Sequence, residues 1–284
     1  MRSEQIHDFW STIPHALFVA IKHFKSDNLS KVKKVVDAYN KAKEAKQLAQ
    51  HFCEYFHSEI AESQEDLDKC YRIRHEVYCE EMNYLPLCED KLEKTSVDEH
   101  SQHYIIQHKY SRHFAGTVRL VYTDNDEQQL PIEQFCKDSI TNEKLHPNAF
   151  PRNQICEISR LAVPASFRRR RMDKFKNAAT GGINEYEYSE EELRCFPFVA
   201  IGLYLAAGAA ALRTGRYHVF VMMEPRLARN MKFVGIKFNQ IGDTVNYHGK
   251  RAPYYIDARI FKKQLKTAFK NMLAMIEGQL YEEK

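Results

Sequence analysis

The stretch ICEISRLAVPASFRRRRMDKF, residues 155–175, decides how this chain is read. It begins as an apolar strand yet holds two opposite charges three apart, Glu157 and Arg160. It then runs through Leu161, Ala162 and Val163 to Pro164 and into four consecutive arginines, Arg168, Arg169, Arg170 and Arg171. A strand that only builds a core needs neither charge, because a buried ion is costly unless it is paired. The pattern points to a reaction centre beside a site for phosphate.

The rest of the composition frames that stretch. At 284 residues the chain suits one large domain, or one domain with an added subdomain. A hydrophobic fraction of 44% with 12% aromatics supports a substantial core and excludes wholesale disorder. Lys+Arg 42 against Asp+Glu 38 leaves a formal charge of +4, which is mild and weighs against a nucleic-acid coat. The basic signal is local. Seven cysteines contain no CxxC pair and resemble neither a disulfide framework nor a zinc site, so free thiols in a reducing cytosol are expected and no metal site is assigned. Near the N-terminus the apolar run ALFVAIKHF is too short to span a bilayer. It suits docking onto the protein's own core, and a peripheral seat on a membrane surface stays open.

Outward from residues 155–175 the pattern alternates strands and helices. Residues 1–50 are helical in character, and FCEYFHSEIA (52–61) alternates as a first strand. Ser63 then N-caps an amphipathic helix with acidic residues in its first turn. QHYIIQHKYSRHFAGTVRLVYT reads as a hairpin, and residues 124–154 as a loop-rich connection with three prolines. After the central strand, NEYEYSEEEL (184–193) reads as a solvated acidic insertion. VAIGLYLAAGAAALRTGRY is a buried helix, HVFVMM a short strand, and EPRLARNMKFVGI a helix broken at Gly235. YYIDARIF is a final strand and KKQLKTAFKNMLAMIEGQLYEEK a closing helix. The fold class expected is α/β (α+β), built on one mixed sheet. The expected division is a helical extension over 1–50 and one domain over 51–284.

Four elements in order, YRIRHEVY, an acidic loop, GTVRL and EISRLAV, resemble the N-acyltransferases related to bacterial acyl-homoserine-lactone (autoinducer) synthases. Within that group the chain is most similar to long-chain N-acyl amino acid synthases and to acyltransferases found beside exosortase systems. All are branches of the GNAT-fold superfamily, and the likeness covers about residues 52–260. The resemblance implies a mostly antiparallel sheet flanked by helices. Arg74 falls on the family's first-helix arginine and Tyr78 on the aromatic four residues later, while Tyr84 stands where the synthases have tryptophan. The family's acidic motif, ExDxYD, is here EKTSVD, which keeps Glu93 and Asp98 but has Thr95 and Val97 in place of an aspartate and a tyrosine. That departure argues against assuming a homoserine-lactone product. Arg119 matches the arginine after the hairpin turn, and Glu157 and Arg160 match the ExSR pair.

The chemistry is coherent without the family. Acyl transfer from a thioester to an amine needs a base for the ammonium, donors for the oxyanion and a departing thiolate. Glu157 can serve as that base if burial raises its pKa, and no covalent intermediate is required. Residues three apart face opposite sides of a regular strand, so a bulge near Ser159, which the resemblance implies, is needed to turn Glu157 and Arg160 into one cleft. Plainer readings stand beside these. Arg74 also suits a surface ion pair, and Arg119 needs a buried partner in Asp98 or Glu157. Glu157 and Arg160 also suit a buried ion pair with no chemical role. Tyr78 and Tyr84 suit a pocket wall.

The function expected is transfer of a fatty acyl group from acyl carrier protein, through its phosphopantetheine, or from acyl-CoA, to the amine of an amino acid or related small molecule. No cofactor is expected to stay bound. Glu157, Arg160 and Arg119 are the catalytic candidates, the two arginines expected to orient the acidic residues and bind the acceptor carboxylate; Arg74, Asp98, Tyr78 and Tyr84 are the acceptor-binding ones. Val163 and the four arginines are assigned to the donor, because the superfamily places its donor phosphates after this strand. The alternatives are an autoinducer synthase or short-chain acetyltransferase of the same fold, and a non-catalytic module for anionic lipid or nucleic acid.

Overall fold

The computed structural model describes residues 47, 49–168 and 189–282. Its contacts divide the chain into Met1–Gln47 and Leu48–Lys284. The helical extension expected over 1–50 lies almost wholly outside the described residues, as do Arg169, Arg170, Arg171 and the first half of the acidic stretch 184–193.

The chain enters the second unit as a helix over residues 49–55, then passes directly into β1 (Phe56–Ala61). The alternation in sequence predicts a strand from residue 52. The helical period prevails because Ala49, Phe52, Cys53 and Phe56 recur at i, i+3, i+4 and i+7 and all are buried. The Phe52 and Phe56 rings stack at 5.1 Å. Ser63 caps α1 (Gln64–His75) as expected, its hydroxyl accepting the Asp66 N–H at 3.1 Å. The helix continues as a π-helical turn, Glu76–Glu81, a wider coil that proteins use sparingly and often beside functional sites.

A hairpin follows, β2 (Ser101–His108) and β3 (Phe114–Tyr122), in the antiparallel pairing expected. The irregular connection carries one short α-helix, α2 (Pro131–Phe135), before β4 (Ile155–Ala162). Then come α3 (Ala165–Arg168), α4 (Glu190–Cys195), α5 (Val199–Arg213) and β5 (His218–Met223). α6 (Pro225–Val234) ends where Gly235 takes φ 102°, a left-handed turn that suits glycine. Two-residue strands β6 (Asn239–Gln240) and β7 (Val245–Asn246) precede β8 (Lys250–Asp257), α7 (Ala258–Gln264) and α8 (Thr267–Tyr281). YYIDARIF is not strand throughout, contrary to its sequence pattern. Asp257 ends the strand, because its carboxylate accepts the Arg259 N–H at 2.9 Å and caps α7. The closing helix accordingly starts at Thr267 rather than at Lys262.

The eight strands form one sheet in the order β1-β2-β3-β4-β5-β8-β6, with β7 on β8. All the strand pairings are antiparallel except β4–β5. That parallel pairing covers only Ile155–Glu157 against His218–Phe220, after which the two strands part. β4 also bulges against β3. Thr117 faces Ala162 while Arg119 faces Ser159, so two steps on β3 meet three on β4. Arg160 absorbs the extra residue with φ 50°. Gly116 permits the tight approach, since a Cβ there would lie 2.8 Å from the Ala162 carbonyl oxygen.

One face of the sheet packs on α5 and α8, whose buried side chains join those of β2, β3, β5 and β8 in the main core. α5 is apolar all round, as a helix enclosed on every side must be. The other face carries two smaller clusters, one about Val97, Ile132 and Phe220, the other about Cys70, Ile73 and Tyr78. Side chains from both small clusters line the cavity described next.

Candidate active site

Three arginines and two carboxylates interlock behind the bulge. Arg74, fully buried on α1, donates through Nε to Glu93 Oε2 at 2.5 Å and through Nη1 and Nη2 to Asp98 at 2.8 and 3.1 Å. Arg119 on β3 donates to Asp98 Oδ1 at 2.8 Å, to the Thr95 hydroxyl at 2.9 Å and to the Ser159 hydroxyl at 3.1 Å. Arg160 at the bulge reaches both oxygens of Glu93, with contacts of 3.1 to 3.3 Å. The acidic loop is fixed by its own cap: the Thr95 N–H donates to Asp98 Oδ2 at 2.7 Å. The altered loop residues are thus structural, with Thr95 at the cap and Val97 buried in an apolar cluster.

Burial alone would raise the Asp98 carboxyl, but the nearby His103 ring, hydrogen bonds from Arg74 and the charges of Arg74 and Arg119 hold it well below the usual carboxylate range. Glu93 behaves alike: burial opposes ionisation, and the Arg74 and Arg160 charges overcome it. Both therefore stay ionised. His103, with Nε2 3.4 Å from Asp98, is pushed toward its neutral form by burial.

Glu157 stands apart from this network. It is 2% exposed, and its Oε2 accepts the Ile132 N–H at 2.7 Å. No ion pair reaches it among the described residues. Burial pushes its carboxyl up to about 8, against the opposing pull of the Ile132 N–H and of the more distant Arg119 and Arg160. It borders a cavity shared with Ser159, Arg160, Tyr78, Tyr84, Tyr247 and Arg251. The bulge therefore does bring Glu157 and Arg160 to one cavity, though they are not each other's partner.

The remaining expected residues divide. Tyr78 and Tyr84 line the cavity, and the Tyr78 hydroxyl donates to the Leu161 carbonyl at 2.7 Å, pinning the bulge. Arg74, Asp98 and Arg119 do not border it. Their donors and acceptors are used within the network, so a direct grip by Arg119 on an acceptor carboxylate is not what the geometry offers. Val163 is buried in the main core. Arg168 pairs with Glu81, whose other oxygen accepts the Ala165 N–H at 2.8 Å at the start of α3. A carboxylate of the chain itself thus holds that helix start. Arg169, Arg170 and Arg171 lie outside the described residues.

Sequence reasoning missed Tyr247, His248 and Arg251. They flank a turn between β7 and β8, where His248 and Gly249 take φ of 49° and 94°. The H-G pair between two short β-prone runs was the available signal. It also missed a gathering of His75, Cys79 and Cys88, whose ligand atoms lie within 4.8 Å of one another. There His75 Nε2 already accepts the Cys88 N–H at 3.1 Å and Nδ1 faces Glu80 at 3.4 Å. Both ring nitrogens are engaged, and the group clasps the end of α1 to the following loop.

Residues 73–176 match the family model of the acetyltransferase (GNAT) domain. That segment runs from α1 past β4, and the mostly antiparallel sheet built around it has the GNAT fold. Among solved structures it is similar to FeeM, an N-acyl amino acid synthase from uncultured soil microbes. The identity is 14% and the TM-score 0.50, over 76% of this chain and 97% of that one. It is also similar to BjaI, a CoA-dependent acyl-homoserine lactone synthase solved with SAM and isopentyl-CoA, at 16% identity and TM-score 0.53 over 80% and 93% of the two chains. TofI, in a ternary complex with an inhibitor and MTA, gives 15% and 0.53 over 75% and 96%. At these identities the likeness is one of fold. No curated protein matches the chain by sequence. No helix among the described residues is long and apolar enough to cross a membrane.

Proposed function

We propose that the chain transfers a fatty acyl group from a thioester, on acyl carrier protein or coenzyme A, to the amine of an amino acid or a similar small molecule. The observation that carries this reading is Glu157: a buried carboxyl without an ion partner, facing the cavity, with its proton affinity raised toward that of a base working near neutral pH. In the reaction the ammonium yields a proton to Glu157 and the freed amine attacks the thioester carbonyl carbon. The C–S bond then breaks, and the leaving thiolate takes up a proton. The parting of β4 and β5 supports passage of the thioester arm, since backbone groups beyond Glu157 are not consumed by pairing between these strands.

A small apolar recess is assigned to the end of the acyl chain. It lies on the helical face of the sheet, lined by Ile158, Tyr204, Val219, Phe238 and Phe261 among others. Its lining is almost wholly apolar, which suits a hydrocarbon tail. The arginine run is assigned to donor recruitment, with Arg168 anchored on Glu81. Exposed charge attraction of that kind weakens as salt shortens the screening length to about 10 Å at 0.1 M.

The test is to incubate the full chain with lauroyl carrier protein or lauroyl-coenzyme A and a pool of the common amino acids, and to follow products by mass spectrometry. N-lauroyl amino acids that vanish with Glu157→Gln are expected. Acetyl transfer with no long-chain product would move the assignment to a short-chain enzyme; binding to DNA or anionic vesicles without any transfer would move it to a binding module.

A further inference from the structure

We propose that Arg251 binds the carboxylate of the acceptor, so that the acceptor is a small amino carboxylic acid held between Arg251 and Glu157. This rests on the amine-acylating reading above and names the group that reads the acceptor's other end.

Charge matching singles out Arg251. Arg74, Arg119 and Arg160 share Glu93 and Asp98. Arg251 borders the same cavity, yet no carboxylate reaches it among the described residues. Its Nε is buried and has no hydrogen-bond partner there. Its guanidinium sits over the face of the Tyr84 ring, 6.0 Å from the centroid. A guanidinium placed so, with a buried donor left over, is poised for an anion that the chain does not supply.

Strand register puts the two ends of the site on one face. Glu157 pairs with Phe220, and Phe220 with Tyr255, so these three lie in one row across the sheet. Arg251 lies four residues back along β8, an even step that returns its side chain to the same face. Four strand residues span about 13 Å, and Glu157 lies two strand spacings, about 10 Å, to the side of Tyr255. That separation prevents direct pairing of the two side chains and leaves room for a ligand with an amine at one end and a carboxylate at the other. The turn at His248 and Gly249 closes the same side, with Tyr247 and His248 on the wall and Tyr84 Oη 3.8 Å from where a Gly249 Cβ would stand. Aromatic rings therefore flank the carboxylate position.

A phosphate on the donor arm shares the anionic chemistry, and the experiment separates the two. Phenylglyoxal labelling of the full-length protein, read by peptide mass spectrometry, reports whether Arg251 is occupied. L-Phenylalanine is expected to shield Arg251, whereas phenethylamine, which lacks the carboxylate, and pantetheine phosphate are not. In the acylation assay, Arg251→Gln should raise the acceptor KM roughly 10- to 100-fold, the worth of a hydrogen bond to a charged group. The KM for the lauroyl thioester should stay unchanged, and Arg251→Lys should recover part of the loss. Equal shielding by phenethylamine, or shielding by pantetheine phosphate alone, overturns the assignment. So does an unchanged acceptor KM in Arg251→Gln. Shielding by L-phenylalanine in a protein that transfers no acyl group would uphold the binding site and refute the transfer reading. Transfer that ignores Arg251 would do the reverse.

Discussion

Replacing Glu157 by glutamine separates the chemistry of this carboxyl from its place in the fold. The glutamine amide keeps an oxygen to accept the Ile132 N–H, so the β4 backbone and the connection it supports should stay in place. What is lost is the ionisable group. In the folded chain Glu157 holds its proton up to about pH 8, whereas the unfolded value is 4.5. Below pH 4.5 both states are protonated and no stability is at stake. As pH rises from 4.5 to about 8, the unfolded chain releases this proton while the fold retains it, so stability falls across that window. At 1.36 kcal/mol per pKa unit the rise amounts to about 5 kcal/mol by pH 9. Glu157→Gln removes that loss. Urea denaturation at pH 4.5, 7 and 9 should therefore show the variant matching the parent at the lowest pH and exceeding it at the highest. Acyl transfer should fall about 10²- to 10⁴-fold, as for loss of a positioned base. The parent's rate should climb with pH to a plateau above about 8. Parallel stability curves for the two proteins from pH 4.5 to 9 would refute the burial argument. Parent-like rates in the variant would remove Glu157 from the mechanism.

Arg119→Ala should cost about 3–5 kcal/mol in chemical denaturation, because it strips a buried carboxylate of a partner. Arg119→Lys should fold better yet stay catalytically poor, since an ammonium cannot serve Asp98, Thr95 and Ser159 from one planar fork. Gly235→Ala should lower stability by about 1–2 kcal/mol or more, measured as a fall in Tm, with activity retained at low temperature. There φ is 102° and the added Cβ would meet the Gln264 carbonyl oxygen at 2.5 Å.

Much of the architecture was legible in sequence because local signals agreed with the tertiary outcome. The Ser63 cap, the hairpin around GTVRL, the apolar α5 and the stop at Gly235 are each written in a few adjacent residues. Where two periods overlapped, sequence could not arbitrate. Residues 49–56 satisfy both a helical and an alternating pattern, and packing of Phe52 on Phe56 selects the helix. The site divides in the same way. Glu157 and Arg160 announced themselves as charges in an apolar strand. Their true partners are brought from afar, Glu93 lying 67 residues from Arg160, and no local pattern encodes that distance. Arg251 escaped notice because an arginine at the start of an edge-side strand looks solvated until the sheet order places it beside β4's cavity.

The separation between network and base leads to a last expectation. Arg160 borders the same cavity as Glu157, and its charge already favours ionisation of that carboxyl against burial. What restrains Arg160 is Glu93, which takes its Nε and Nη2. The acidic loop thus spares Glu157 an ion pair and leaves its proton affinity high. Glu93→Gln should release Arg160 toward Glu157 and leave the network with one less negative charge. Two unit charges 4 Å apart attract by about 4 kcal/mol at the effective dielectric of a protein surface, and desolvation returns part of that. A net fall of about two pKa units in Glu157 is the reasonable size. The rising limb of the pH–rate profile should move to lower pH by that amount, and the plateau rate should drop because the base has become weaker. Combining Glu93→Gln with Arg160→Met should return the limb to the parent's position, since the released cation is then gone. A profile for Glu93→Gln that coincides with the parent's, in a protein that still melts cooperatively, would show that Glu93 does not hold Arg160 away from the base.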